Sequence, residues 1–342
     1  MKNAVVYSLA LVIASAPFLI IPGCTKSTSS TDDLVGNWVK VSPFGGYARS
    51  EAVVFTIGDK AYVGLGTSQT TLFSNFYAYD IDNDYWTSIP DFPGTPRNGA
   101  VAFTLKNKGY VGTGYDEQNY LNDMWQYDPA NNAWYPVKPF MGSGRWGAVA
   151  FTIGDKAYVG TGYDGNYLGD FYEFDANDST WSQRASLKGD KRRWATAFVL
   201  NGQGYVCSGE NNGSSLNDLV AFDNSTTSGT WTTKRKLTNV SDESYDDDYD
   251  GIARFGAVSF VMNDKAYITT GESGGLNTRT WEYDYTNDQW TEKTSFSGTA
   301  RSNAVAFSIN NRAFVLLGRS GSSPFDNMYE FQPNAEDNDD DN

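Results

Sequence analysis

The sequence predicts an all-β fold, a six-bladed β-propeller with four antiparallel strands per blade, and three observations carry that prediction. First, one block recurs six times, each copy opened by an arginine: Arg49, Arg97, Arg145, Arg193, Arg254 and Arg301, at intervals of 48, 48, 48, 61 and 47 residues. Periods of this size mark stacked supersecondary units. Second, each of the first five copies holds four short runs of strand-forming residues divided by turn residues, which makes one blade. Third, the outer strand missing from the last copy is found ahead of the first.

The third unit shows the elements in order. Residues 147–153 are small and apolar and stop at the turn pair Gly154-Asp155, so they read as an innermost strand buried on both faces. A second strand over residues 156–160 carries Tyr158 and Val159, and Gly162 beyond it lets the chain leave the sheet with φ > 0. The aromatic run from Phe171 to Asp175 supplies the third strand, and Trp181 opens the fourth after a polar turn. The other units keep these offsets. The second-strand aromatic recurs as Tyr62, Tyr110, Tyr205, Tyr267 and Phe314, and the closing glycine as Gly66, Gly114, Gly209, Gly271 and Gly318. The tryptophan recurs as Trp86, Trp134, Trp231 and Trp290.

The sixth unit ends its third strand at residues 329–331 with no tryptophan after it. Trp38 stands 11 residues before Arg49, the same gap that separates Trp86 from Arg97, Trp134 from Arg145 and Trp290 from Arg301. The N-terminal segment is therefore expected to close the ring as the outer strand of the last blade, removing the unpaired edges of an open ring. One undivided propeller over residues 34–333 follows, although 342 residues would suit two or three domains on length alone.

These motifs resemble the kelch repeat over residues 34–333. Kelch repeats carry a glycine pair after the second strand. Here the second glycine is kept and the first position holds Leu65, Thr113, Thr161, Ser208, Thr270 and Leu317. The resemblance implies a rigid disc presenting loops for recognition, with arginines that bind acidic peptides in some kelch domains. Other kelch-type propellers are similar to copper radical oxidases, which need histidine ligands, and this chain has no histidine.

The ends carry a different message. Residues 1–23 read as a secretory signal, with Lys2 as the charged start and residues 4–20 as the apolar stretch. Its end, Ile21-Pro22-Gly23-Cys24, resembles a bacterial lipobox; Cys24 would be lipidated and residues 24–33 would form a flexible tether. The expected location is the bacterial cell envelope, lipid-anchored at the outer membrane; an ordinary cleaved signal is the alternative. Cys207 then has no partner, so no disulfide is expected and it reads as a buried thiol. The formal charge is −15, with acids concentrated in residues 241–250 and in residues 334–342, expected to be a disordered tail. No basic stripe suggests nucleic acid.

Absence of histidine removes the usual general base and with it any Ser-His-Asp or Cys-His nucleophile. The six arginines are expected to ring one mouth of the channel. They either pack the blades through carbonyl contacts or hold a carboxylate-bearing ligand with bidentate forks. The residue after each arginine breaks the symmetry: Trp146, Trp194 and Phe255 place aromatics in three consecutive blades, against Ser50, Asn98 and Ser302 elsewhere. Such a set suits a sugar ring or a peptide hot spot. Glu51 stands alone at the next position, a candidate base or ion-pair partner. The loop before Arg254 holds Asp246, Asp248, Asp250 and Gly251, the D-x-D-x-D-G opening of a calcium loop; calcium is the one cofactor the sequence allows, against a solvated acidic loop. The leading reading is a non-catalytic protein-interaction subunit of an outer-membrane complex. The alternatives are a propeller similar to sialic acid epimerases, using the arginines and Glu51 on a sugar acid, and glycan binding through Trp146, Trp194 and Phe255.

Overall fold

Six four-stranded antiparallel sheets stand around a central channel lined by their innermost strands. The computed structural model describes Met1 and residues 34–341; Cys24 and the rest of the segment expected to form a leader and tether lie outside the described residues. Blade 1 runs Val53–Ile57, Lys60–Gly64, Phe76–Asp80 and Tyr85–Ile89 from channel to rim. Blades 2 to 6 repeat that order from the innermost strands Val101–Leu105, Val149–Ile153, Thr196–Leu200, Val258–Met262 and Val305–Ile309. No α-helix occurs among the described residues.

Convergence on one axis explains the composition of the innermost strands. Val53 and Phe55 are buried between blades, while Ala52 and Val54 line the channel. Six strands meet there, so the lining must be small, and Ala52, Ala100, Ala148, Ala195, Ala257 and Ala304 make one layer of it. The strand expected to be buried on both faces thus has one face between blades and one on the channel. Small channel residues made the run look uniformly apolar.

The core is six wedges, one between each pair of neighbouring blades. Every blade contributes a stacked ring pair, such as Phe55 on Tyr62 at 5.1 Å and Phe198 on Tyr205 at 5.1 Å. Rim tryptophans tie blade to blade: Trp134 Nε1 donates to the Pro90 carbonyl at 2.9 Å, and Trp231 Nε1 to that of Ala185 at 2.9 Å.

Closure follows the expected route. Asn37–Val41 pairs antiparallel with Met328–Gln332, Trp38 opposite Phe331. Trp38 is fully buried and its Nε1 donates to Thr294 O of blade 5 at 3.2 Å, the bond a rim tryptophan makes. The acidic tail departs from expectation. Gly36 N donates to Ala335 O, and the Asn37 side chain bonds Asn338 N and the Asp341 carboxylate, so residues 335–341 fold back on the closing strand.

Blade 4 corrects the repeat register. Phe151 follows Arg145 by six residues, and the residue six before Phe198 is Arg192, not Arg193. Arg192 is fully buried, with Nη1 on Ser208 O at 2.8 Å and both Nη atoms on the Asp218 carboxylate at 2.7 Å. Adjacent arginines hid the slip, which also moves Trp194 one place along.

Candidate functional site at the channel mouth

The repeat arginines form the foundation of the mouth rather than its surface. Arg49, Arg97, Arg145, Arg192, Arg254 and Arg301 are at most 1% exposed. Each donates Nη1 to the carbonyl of the residue that replaces the first kelch glycine, as Arg97 does to Thr113 O and Arg145 to Thr161 O, both at 3.0 Å. Those six residues keep the left-handed backbone of the absent glycine, with φ between 55° and 64°. Such a backbone costs a non-glycine residue about 1–2 kcal/mol, and a charge-assisted bond to the strained carbonyl offsets it. Arg97 and Arg145 also grip Asp123 and Asp170. The anion-binding ring is thereby corrected: these guanidinium groups are buried and bond the blade's own carbonyls and Asn or Asp side chains, with the Nη2 of Arg49 and Arg301 left without a hydrogen-bond partner among the described residues. Arg254 is the odd member. Arg279 stands where the other blades have Asn or Asp, the Arg254 Nε and Nη2 find no partner among the described residues, and burial pushes the Arg254 pKa down to about 9.

Two residues past each arginine the six blades join in a closed circuit of backbone hydrogen bonds. Glu51 N donates to Asn303 O, Asn303 N to Gly256 O, Gly256 N to Trp194 O, Trp194 N to Gly147 O, Gly147 N to Gly99 O, and Gly99 N to Glu51 O, all between 2.8 and 3.0 Å. Every member has φ between 54° and 65°. Glycine takes that conformation without penalty; Glu51, Trp194 and Asn303 do not. Backbone strain of this kind concentrates at functional sites.

Next to the circuit, residues pair through isolated backbone bridges, one pair per blade: Ser50 with Thr67, Asn98 with Tyr115, Trp146 with Tyr163, Arg193 with Glu210, Phe255 with Glu272, and Ser302 with Arg319. The second member of each pair is the residue directly after the closing glycine of the second strand. That position is readable in the sequence, but no one residue type fills it across the blades, so the repeat does not mark Tyr115, Tyr163, Glu210 and Arg319 as a set. Trp146 meets Trp194 edge to face at 4.9 Å and Tyr115 at 6.1 Å. The two indoles lie over Gly99 and Gly147, where any Cβ would strike them. Phe255 makes no ring contact among the described residues, so two of the three expected aromatics come together and the third stands apart.

Arg193 organises this arc. Its guanidinium lies 4.9 Å from the Trp146 ring, 5.1 Å from Tyr163 and 5.6 Å from Tyr167. Its Nε donates to Glu210 at 3.0 Å, and the Tyr167 hydroxyl donates to the same carboxylate at 2.9 Å. Burial alone would raise the Glu210 carboxyl, but the bonds from Arg193 and Tyr167 outweigh it and hold it below its usual range.

Glu51 is 7% exposed and sits at the edge of a recess of about 290 Å³ shared with Arg319. Trp146 Nε1 donates to Oε2 at 3.3 Å, and Arg319 Nη2 lies 3.5 Å from Oε1. Burial raises its carboxyl above the ordinary value, with Arg319 opposing. Its ion partner is thus Arg319 and none of the repeat arginines.

The calcium expectation is corrected. The Asp246 carboxylate turns inward to accept from Val240 N, Ser241 N and the Ser241 hydroxyl, closing its own loop. Asp250 pairs with Arg279 at 3.1 Å, and Asp248 is exposed. Their geometry does not converge, and among the described residues no group of three acidic, cysteine or histidine side chains could hold a metal. Cys207 is buried as expected, and burial pushes its thiol up to about 12.

A family model described as the KLHDC2/KLHL20/DRC7 Kelch-repeats domain matches residues 38–209. No curated protein matches the sequence. The solved structure of YjhT superposes with a TM-score of 0.70 over 84% of this chain and 95% of its own, at 17% identity. At that identity the likeness is one of fold. Blade architecture, repeat spacing and the matched model agree: the chain belongs to the kelch-repeat family of β-propellers.

Proposed function

We propose that the chain is a non-catalytic recognition propeller, held at the bacterial cell envelope by a lipid on Cys24, and that a protein partner docks on the mouth arc of blades 2 to 4. One observation carries the reading. The six-fold repeat fails on that arc, where Trp146, Trp194, Tyr115 and Arg193 form a rigid aromatic–cationic cluster on a backbone circuit strained at Trp194. Aromatic and arginine anchors held without rotamer freedom are what binding hot spots are made of. The chain also lacks the histidine that nucleophile–base chemistry most often uses.

Full-length protein purified from detergent extracts is expected to carry a stoichiometric envelope partner. Trp194→Gly removes the indole at a φ of 54° that suits glycine, so the variant should fold and lose the partner. Recovery of monomer alone from wild-type extracts overturns the reading. A second reading, the sugar-acid epimerase-like one, draws support from Glu51: a carboxyl with a raised pKa beside Arg319 in a small recess suits general acid–base work. Loss of sugar-acid turnover in Glu51→Gln is its test.

A further inference from the structure

Beside the mouth, residues 163–167 of blade 3, residues 189–191 leading into blade 4 and residues 211–212 in the hairpin after its second strand line a recess of about 570 Å³. We propose that this cleft is a carbohydrate subsite that takes a neutral sugar ring, independently of the protein partner at the mouth. Its volume falls within the roughly 300–1,000 Å³ of small-ligand sites.

Three features converge on that chemistry. The cleft has two fixed aromatic rings: Tyr163 and Tyr167 meet at 5.2 Å and 69°, with the Arg193 guanidinium within 5.1 and 5.6 Å of their centroids. The Tyr167 hydroxyl is tied to Glu210. Rings already held in place offer apolar area to the C–H face of a sugar with little ordering cost.

Around those rings stand polar groups without work inside the protein. The Tyr163 hydroxyl, the Asn166 amide, the Asp190 carboxylate and the Lys191 ammonium line the cleft and make no side-chain hydrogen bond or ion pair among the described residues. Asn212 donates its amide to Asn211 and leaves its own side-chain carbonyl open. Sugar hydroxyls donate and accept at once, so they need donors and acceptors mixed at close quarters, and this set supplies both.

Charge decides between neutral and ionic ligands. Asp190 and Lys191 cancel, and Arg193 is neutralised by Glu210 at 3.0 Å. Asp164 in the same segment accepts only from Asn166 N among the described residues and leaves the balance slightly negative, which disfavours an anion and separates this cleft from an acidic-peptide or sugar-acid site.

The test is calorimetric titration of the full-length protein in detergent with neutral cello-, malto-, xylo- and manno-oligosaccharides. At least one series should bind saturably, and Tyr163→Ala and Asn166→Ala should each weaken it by about tenfold or more. Asn166 is exposed and its side chain bonds nothing, so its variant keeps the fold; an unchanged thermal midpoint confirms that. No binding at millimolar sugar, binding that both substitutions leave intact, or binding confined to sulfated or carboxylated glycans or to a peptide would each overturn the proposal. Partner capture should survive Asn166→Ala, whose side chain takes no part in the mouth cluster, so failure here and failure of the mouth reading are separate results.

Discussion

At Glu51 two costs coincide on one residue: a left-handed backbone and a carboxylate withdrawn from water. Its neighbours in the circuit are mostly glycine, which pays neither. Because burial raises the folded-state carboxyl above its unfolded value, the ionised form is penalised in the fold. The stabilising contribution is complete below the unfolded value of about 4.3 and is lost as pH rises through the folded value. Glu51→Gln removes this titration. The variant should therefore be the more stable protein at neutral pH, and its advantage should vanish below the ordinary glutamate range. Thermal melts of both proteins across that interval check the prediction, and parallel curves would falsify it. The isolation of Glu51 was legible by comparing units. Its partner was not, because Arg319 lies on a different blade and only the closed ring brings it near.

The arginine clamp is the unit of blade construction, and the sequence showed it one residue out of place in blade 4. In a strand-like segment a slip of one residue reverses which side each residue occupies. Trp194 accordingly belongs to the backbone circuit, and Arg193, expected at the mouth as a repeat arginine, stands there while Arg192 takes the repeat position. Adjacent arginines hid the slip, and the six-residue spacing to Phe198 together with burial picks Arg192. The two arginines should therefore respond oppositely to substitution. Arg192→Met leaves the Asp218 carboxylate, only 13% exposed, and the Ser208 carbonyl without their partner; breaking such a pair costs about 3–5 kcal/mol. Arg193→Met should cost well under half as much, since Glu210 keeps its bonds from Tyr167 and Gly213, while partner capture falls. Urea midpoints decide it, and a larger loss from Arg193→Met would refute the corrected register. The calcium motif was misleading for a related reason. Spacing shows which carboxylates could converge, but Asp246 is claimed first by the bare amides of its own loop.

Across the whole molecule the ring is held shut by residues from opposite ends of the chain. The closure was legible because a gap of 11 residues repeats, and counting can find a missing tryptophan nearly 300 residues from its blade. The return of the acidic tail was not legible. Its composition predicts solvation, and capture depends on the Asn37 side chain, which bonds Asn338 and Asp341 only once the ring exists. These two contacts should differ widely in weight. Trp38 fills the wedge between blades 5 and 6 against Phe260, Phe296 and Phe331, with centroids at 6.4, 5.0 and 4.6 Å. Trp38→Ala should cost about 3–5 kcal/mol. Deleting residues 34–41 should cost more, since it also bares the Met328–Gln332 edge and invites association of chains. Deleting residues 335–342 removes mostly exposed polar contacts and should shift the thermal midpoint only slightly. Melting curves with light scattering on the three variants order these effects. If loss of residues 34–41 left the midpoint in place and the protein monomeric, the ring would have to be held together without its closing strand.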